Sequence, residues 1–227
     1  MKILATLFPK FTAIDLIGPA NTWMFIPNVE IQLAAAKPGA VPTDIGLTIN
    51  ATHDFETCFQ EPDVLLVPGG GIGAFQALQD DEFIDQVARL GAKAGWVTSV
   101  CNGSLLLGAA GLLRGYKAGC HWYSRDYLRK FGAEPLAERI VVDRNRATGG
   151  GMTAGIDFAL SMMGRWGGEP AGQLAELCLE YAPCPPFKTG LPDLAPPGVL
   201  AMANEILARE MPNSVADETA KRRGFVG

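Results

Sequence analysis

Four consecutive apolar residues, Val64-Leu65-Leu66-Val67, run without a polar interruption and stop abruptly at Pro68-Gly69-Gly70-Gly71. A strand buried on both faces has no water side for alternating polar residues, so such a run belongs inside a parallel sheet covered by helices on both sides. The same plan recurs along the chain. Lys2 to Phe8 reads as a first strand ended by Pro9, and Val29 to Ala36 and Leu47 to Ala51 read as further strands. Trp96 to Val100 is a strand leading directly into an apolar helix, Asn102 to Ala110, that stops at Gly111. An earlier helix begins around Asp15, at or near its N-cap, and another spans roughly Phe83 to Leu90, with Asp80 or Asp81 as its cap.

Downstream, short strands are predicted near Lys117 to Cys120, Ile140 to Val142 and Arg146 to Thr148, with a helix near Trp122 to Lys130. Gly149-Gly150-Gly151 then leads into an apolar helix from Thr153 to about Arg165, followed by a helix from Leu174 to Tyr181. A proline-rich extended connection, Pro183 to Pro197, precedes a last helix from Gly198 to Met211. This alternation predicts an α/β fold with a mainly parallel sheet. No linker is long enough to divide the chain, so the expectation is one domain over 1–227, with 183–227 as a C-terminal extension packed on it.

Composition removes several function classes. With Lys+Arg 19 against Asp+Glu 24, a net charge of -5, the chain lacks the basic excess of a nucleic-acid surface. No apolar run reaches the roughly 18 residues that a membrane span needs, and Pro9, Lys10 and Asp15 break the N-terminal stretch that might pass for a signal peptide. Five cysteines, an odd number without C-x-x-C pairing, point to a reducing, cytoplasmic setting. The two histidines, His53 and His121, lack ligand spacing, so no metal is expected. Nor is a nucleotide cofactor: Pro68 to Gly73 follows a later strand than the first βα turn where a dinucleotide loop belongs, and no phosphate-loop motif occurs.

The 27 glycines are about 12% of the chain, against roughly 7% on average. They gather in three corners, Pro68 to Gly73, Ser99 to Gly103 and Gly149 to Gly151, each after a strand, where parallel sheets bind ligands. Ser99-Val100-Cys101-Asn102-Gly103 has the small-x-nucleophile-x-small plan of a strand-to-helix elbow. At a helix N-terminus Cys101 is expected to have a lowered pKa and to act as nucleophile; the plainer alternative is a small buried apolar residue. Backbone N–H groups of Gly70, Gly71 and Asn102 are candidate oxyanion donors. Asp15 is either a helix cap or a protonated general acid beside the thiol. His121, Gly150 and Met152 are candidate pocket residues, with Cys120 read as core packing in preference to a second thiol, and Lys221-Arg222-Arg223 as a solvated tail.

The segments FTAIDLIGP, DVLLVPGGGIGAF, VTSVCNGSLLLGAAGLL, CHW, TGGGMTAGIDFAL and LEYAPCPPF together resemble the ThiJ/PfpI superfamily, relatives of class I glutamine amidotransferases, and within it the isocyanide hydratases. The resemblance implies a flavodoxin-like three-layer sandwich, usually a homodimer, acting on a small molecule without cofactor. It matches Cys101 to a nucleophile that forms a thioimidate with an isocyanide, and Asp15 to the acid that delivers a proton. It departs at Asn102 and at Gly119-Cys120, where the hydratases carry threonines. Glyoxalase-like relatives place His directly after the cysteine, an arrangement that Asn102 excludes. A sensor domain or redox sensor using the same thiol is the competing reading; a DNA-binding regulator would need a helix-turn-helix region for which the chain after Pro197 is too short.

Overall fold

A computed structural model describes residues 1–225. In chain order its strands are β1 (Lys2–Thr6), β2 (Glu30–Ala35), β3 (Gly39–Pro42), β4 (Thr48–Ala51), β5 (His53–Asp54), β6 (Val64–Val67), β7 (Trp96–Val100), β8 (Lys117–Ala118), β9 (Glu134–Pro135), β10 (Ile140–Asp143) and β11 (Arg146–Gly149). The helices are α1 (Ala13–Trp23), α2 (Ile72–Ala77), α3 (Asp81–Gly91), α4 (Gly103–Ala109), α5 (Ala154–Gly167), α6 (Glu169–Cys178), α7 (Pro197–Glu210) and α8 (Ser214–Arg222). Seven strands form the main sheet in the order β10-β11-β7-β6-β1-β2-β5. All its pairings are parallel except β10 with β11 at one edge, where a two-residue turn reverses the chain.

The central strands explain the layers. Every residue of β6 is buried, as are four of the five in β7, so both faces need cover. On one face α1 packs against α5, and α5 against α6. Trp23 meets Phe158 edge-on at 5.6 Å and its indole N–H donates to the carbonyl of Ala159 at 3.2 Å. Such an aromatic pair adds about 0.5–1.5 kcal/mol to its burial. On the other face α4 lies across β6 and β7 and is flanked by α3 and α8. Leu105, Leu106 and Leu107 are all fully buried, each removing roughly 1.5–3 kcal/mol worth of apolar surface from water.

The sheet is the mostly parallel flavodoxin-like sandwich expected, and Asp80 caps α3 by accepting from the Phe83 N–H at 3.0 Å. Several local expectations are corrected. The strands expected at Leu47 to Ala51 and near Lys117 to Cys120 do form, at Thr48–Ala51 and Lys117–Ala118, and pair with β3 and β9 outside the main sheet. The segment expected as a helix from Trp122 is a 3-10 helix over Arg125–Phe131. α6 begins earlier than Leu174, because Gly168 with φ 85° breaks the chain after α5 and Pro170 suits the first turn of a new helix. Asp15 is not a cap: Thr12 holds that position, and Asp15 lies in the first turn with its carboxylate turned inward.

Gly198 to Met211 is not the last helix, for α8 follows it and buries Ala216, Thr219 and Ala220. The basic group near the end is not a solvated tail either. Arg222 pairs with Asp81 at 3.1 Å, and Arg223 pairs with Asp81 at 3.0 Å and Asp85 at 2.6 Å while donating to the Ala109 carbonyl. Two residues of the extension, at 226–227, lie outside the described residues.

Candidate active site

The Ser99 to Gly103 corner connects β7 to α4, and Cys101 sits on it with φ 58°. The left-handed region costs an ordinary residue roughly 1–2 kcal/mol, so this conformation needs support. It comes from the third glycine corner: the Cys101 N–H donates to the carbonyls of Gly150 at 2.7 Å and Gly149 at 3.2 Å. Gly103 is required because a Cβ there would strike the carbonyl of Val67, the last residue of β6. Gly150 is therefore part of the elbow's support, through its carbonyl.

The first corner brings Asp15 to the thiol. Gly69 donates its N–H to Asp15 Oδ2 at 2.9 Å. A Cβ on Gly69 would stand 2.6 Å from the Asn102 nitrogen, 2.8 Å from Cys101 Cβ and 2.9 Å from Asp15 Oδ2. Those three groups thus crowd around one glycine Cα, which places Cys101 and the Asp15 carboxyl on either side of it. Asp15 is fully buried and its Oδ1 has no hydrogen-bond partner among the described residues. Burial pushes its pKa up to about 8, with the Gly69 N–H opposing and Asp44 adding to the rise, so the carboxyl holds its proton at neutral pH. An acid in that state can donate.

Cys101 is 1% exposed, and burial drives its thiol well above the ordinary value, with Asp15 and Cys120 pushing the same way. The lowering expected from the helix N-terminus is present, as the Asn102 N–H that holds the sulfur, but desolvation outweighs it. The resting pair is thus a neutral thiol beside a neutral acid.

The remaining candidates divide. Among the described residues, the N–H groups of Gly70 and Gly71 find no acceptor, which leaves them free to bind charge. The side-chain amide of Asn102 is committed: Nδ2 donates to the Gly70 carbonyl at 2.9 Å, and Oδ1 accepts from the Cys120 thiol at 3.5 Å. Only its backbone N–H faces the Cys101 sulfur. Cys120 is buried, and burial lifts its thiol to about 12. His121 lies against Gly151, but its Nδ1 accepts from the Tyr123 N–H at 3.3 Å and no hydrogen bond links it to Cys101 or Asp15 among the described residues. Burial lowers its pKa to about 4, so it is neutral at pH 7. Met152, 42% exposed, lines with Gly71 a pocket of about 220 Å³. A second cavity of about 280 Å³, among Phe8, Val41, Phe55 and Phe83, is lined by no cysteine.

Sequence reading missed three groups here. Ser104 accepts from the Ser99 hydroxyl at 2.8 Å and donates to the Gly119 carbonyl at 2.6 Å, while Thr148 accepts the Gly119 N–H at 2.7 Å, so a buried polar chain fixes the segment that leads from β8 to Cys120. Asp44 accepts from the Thr12 hydroxyl at 2.6 Å and lines the pocket. The end of α7 supplies Leu207, Glu210 and Met211 to the same pocket. Ser104 directly follows the elbow motif and could have been found there; nothing local marks the other two.

Fold and site together define an α/β protein with a cysteine at a strand-to-helix elbow and an acid at its side. The chain belongs to the DJ-1/PfpI family, whose profile matches residues 1–165. It is 44% identical over 206 residues to the isonitrile hydratase of Pseudomonas putida, covering 90% of this chain and 89% of that one. A ThiJ/PfpI family protein from Pseudomonas syringae superimposes with TM-score 0.92 at 42% identity, over 96% of this chain and 90% of that chain. More distantly, a Pyrococcus furiosus deglycase is 29% identical over 64% of this chain and 87% of its own.

Proposed function

We propose that this protein is an isonitrile hydratase, converting an isocyanide to the N-substituted formamide, with Cys101 as nucleophile and Asp15 as general acid. The observation that carries the reading is Cys101 and Asp15 packed together around Gly69, in a chain 44% identical to an isonitrile hydratase. The terminal carbon of R–N≡C accepts both a nucleophile and a proton. The Cys101 sulfur bonds to that carbon, Asp15 delivers its proton to the same atom, and the thiol proton returns to the carboxylate, giving R–N=CH–S–Cys. Water then adds to the thioimidate carbon. Collapse breaks the C–S bond, returns a proton to sulfur and releases R–NH–CHO. Covalent catalysis divides one difficult hydration into two easier steps. The free N–H groups of Gly70 and Gly71, with that of Asn102, are suited to the oxygen of the tetrahedral adduct.

Several features bear on assembly and location. α1 and α6 pack together and leave Ile17, Met24, Leu174 and Leu177 between 39% and 79% exposed, a surface suited to a second copy of the chain. We take the unit to be a homodimer, which sedimentation would test. Its cysteines are all free and no helix among the described residues could cross a membrane, consistent with a reducing cytoplasm. Within residues 183–227, α8 packs against α4, and we read 1–227 as one domain with that extension.

The test is to offer the purified protein an alkyl isocyanide and a 2-oxoaldehyde side by side. Formamide production by the wild type, lost in a folded Cys101→Ala, is the expected result. Turnover of the aldehyde alone would favour a deglycase-like enzyme, tight binding without turnover a sensor, and undiminished hydration by Cys101→Ala would overturn the mechanism.

A further inference from the structure

α7 differs from the other long helices in burying nothing along its 14 residues. Val199, Met202 and Ile206 are 51%, 65% and 58% exposed, and only the last turn reaches the body of the protein. There it is fastened: Met211 is buried with the Ser124 hydroxyl against its sulfur at 4.0 Å, and Asn213 Nδ2 donates to the Tyr123 carbonyl at 3.2 Å. α8 then anchors the chain through Arg222 and Arg223. The point of fastening is the pocket of about 220 Å³, which has Gly71 and Ile72 on one side, Met152 on a second, and Leu207, Glu210 and Met211 on a third.

The first two walls belong to the loops whose Gly69 and Gly150 touch Cys101, which itself lies behind the pocket lining. Gly71 lies two residues beyond the glycine wedged against the thiol, and Met152 two residues beyond the carbonyl that accepts the Cys101 N–H. The third wall comes from outside residues 1–165, the part that the family profile covers. The pocket falls below the roughly 300 Å³ at which drug-sized ligands begin to fit. Its apolar side chains are Ile72, Met152, Leu207 and Met211, and its rim carries Asp44 and Glu210 against Lys10, an excess of one negative charge.

We infer that the 207–211 turn, with Leu207 foremost, sets which substituents reach Cys101, admitting short, neutral, apolar groups and rejecting bulky or anionic ones. This rests on Cys101 being the reacting thiol. Its substrate class is therefore a small aliphatic isocyanide. Leu207 is half-buried at the edge of the core, so the fold of each variant is confirmed by circular dichroism and thermal unfolding before the ratios are read.

The test uses Leu207→Ala and Leu207→Phe in the full chain, with two readouts. One is the ratio of Cys101 alkylation rates by iodoacetamide and N-phenyl iodoacetamide, followed by mass spectrometry, which needs no turnover. The other is the ratio of kcat/KM for methyl and cyclohexyl isocyanide. Leu207→Ala should raise the bulky-to-small ratio roughly tenfold, the scale on which a pocket discriminates a methylene or two, and Leu207→Phe should lower it. Ratios within twofold of wild type in both variants would overturn the inference. Shifted alkylation ratios in a protein that hydrates no isocyanide would uphold the pocket and sink the hydratase reading. Hydration of both isocyanides at an unshifted ratio would do the reverse.

Discussion

Asp15→Asn separates what the carboxyl does for chemistry from what it costs the fold. The amide can still accept from the Gly69 N–H, so the change chiefly removes ionisation. In the folded protein burial raises the carboxyl from 3.8 to about 8, whereas in the unfolded chain it titrates near its ordinary value. Between those limits the folded state binds the extra proton, so the stability that Asp15 contributes falls as pH rises through the interval. At about 1.4 kcal/mol per pH unit the loss is roughly 4 kcal/mol at pH 7 and reaches about 6 kcal/mol above pH 8, while below pH 4 it vanishes. Asp15→Asn should therefore match the wild type near pH 4 and be the more stable protein by several kcal/mol at pH 8, with isocyanide turnover lost. Urea unfolding of both proteins at pH 4.5, 6 and 8 reads this directly. The neutral buried His121 destabilises both proteins equally at low pH and cancels in the difference. Parallel stability profiles for the two proteins would refute the buried neutral acid and with it the proton donor.

Other expectations are shorter. Isocyanide hydration should be flat from pH 5.5 to 7.5 and fall about tenfold per pH unit above 8, as Asp15 loses its proton; a profile rising through pH 8 would contradict an acid in that role. His121→Asn should keep kcat/KM within several-fold, and a loss beyond a hundredfold would return His121 to the reacting groups. Gly69→Ala should cost about 1–3 kcal/mol in thermal or urea unfolding by overpacking, and on the order of a hundredfold in kcat by displacing thiol from acid; wild-type kinetics would show the three groups are not so crowded. Asn102→Ala leaves the buried Gly70 carbonyl unpaired, a loss of about 1–3 kcal/mol measurable by unfolding, and an unchanged midpoint would refute that link.

What the sequence disclosed and what it hid follow from the range of the interactions. β6 and β7 were legible because burial on both faces writes itself into consecutive apolar residues, and the elbow because a tight turn demands small neighbours at fixed offsets, as the Val67 carbonyl beside Gly103 demonstrates. α3 was legible through its periodicity and the Asp80 cap. α8 was not: its apolar stripe consists of Ala216, Thr219 and Ala220, too slight to register, and its hold comes from Arg222 and Arg223 meeting Asp81 and Asp85 some 140 residues away. The pairing of Asp15 with Cys101 was hidden for the same reason, since the intermediary is Gly69, 54 residues from the acid. Distance along the chain likewise concealed the contribution of α7 to the pocket wall.

The electrostatics of the site favour a particular kind of reagent. A thiolate would demand a nearby cation or several hydrogen bonds, and Cys101 has one N–H, a neighbouring thiol and an acid instead. Such surroundings suit a nucleophile that becomes reactive only when its electrophile also accepts a proton, so that no full charge develops in the buried site. An isocyanide meets that condition because one carbon takes both partners, whereas a carbonyl takes the nucleophile on carbon and the proton on oxygen, and needs an oxyanion site in the first step. On the proposed mechanism the N–H groups of Gly70 and Gly71, which have no acceptor among the described residues, would be needed only when water adds to the thioimidate and an oxygen enters the adduct. The strained elbow, the buried acid and its cost to stability then have one origin: the protein keeps a proton and a sulfur together away from bulk solvent.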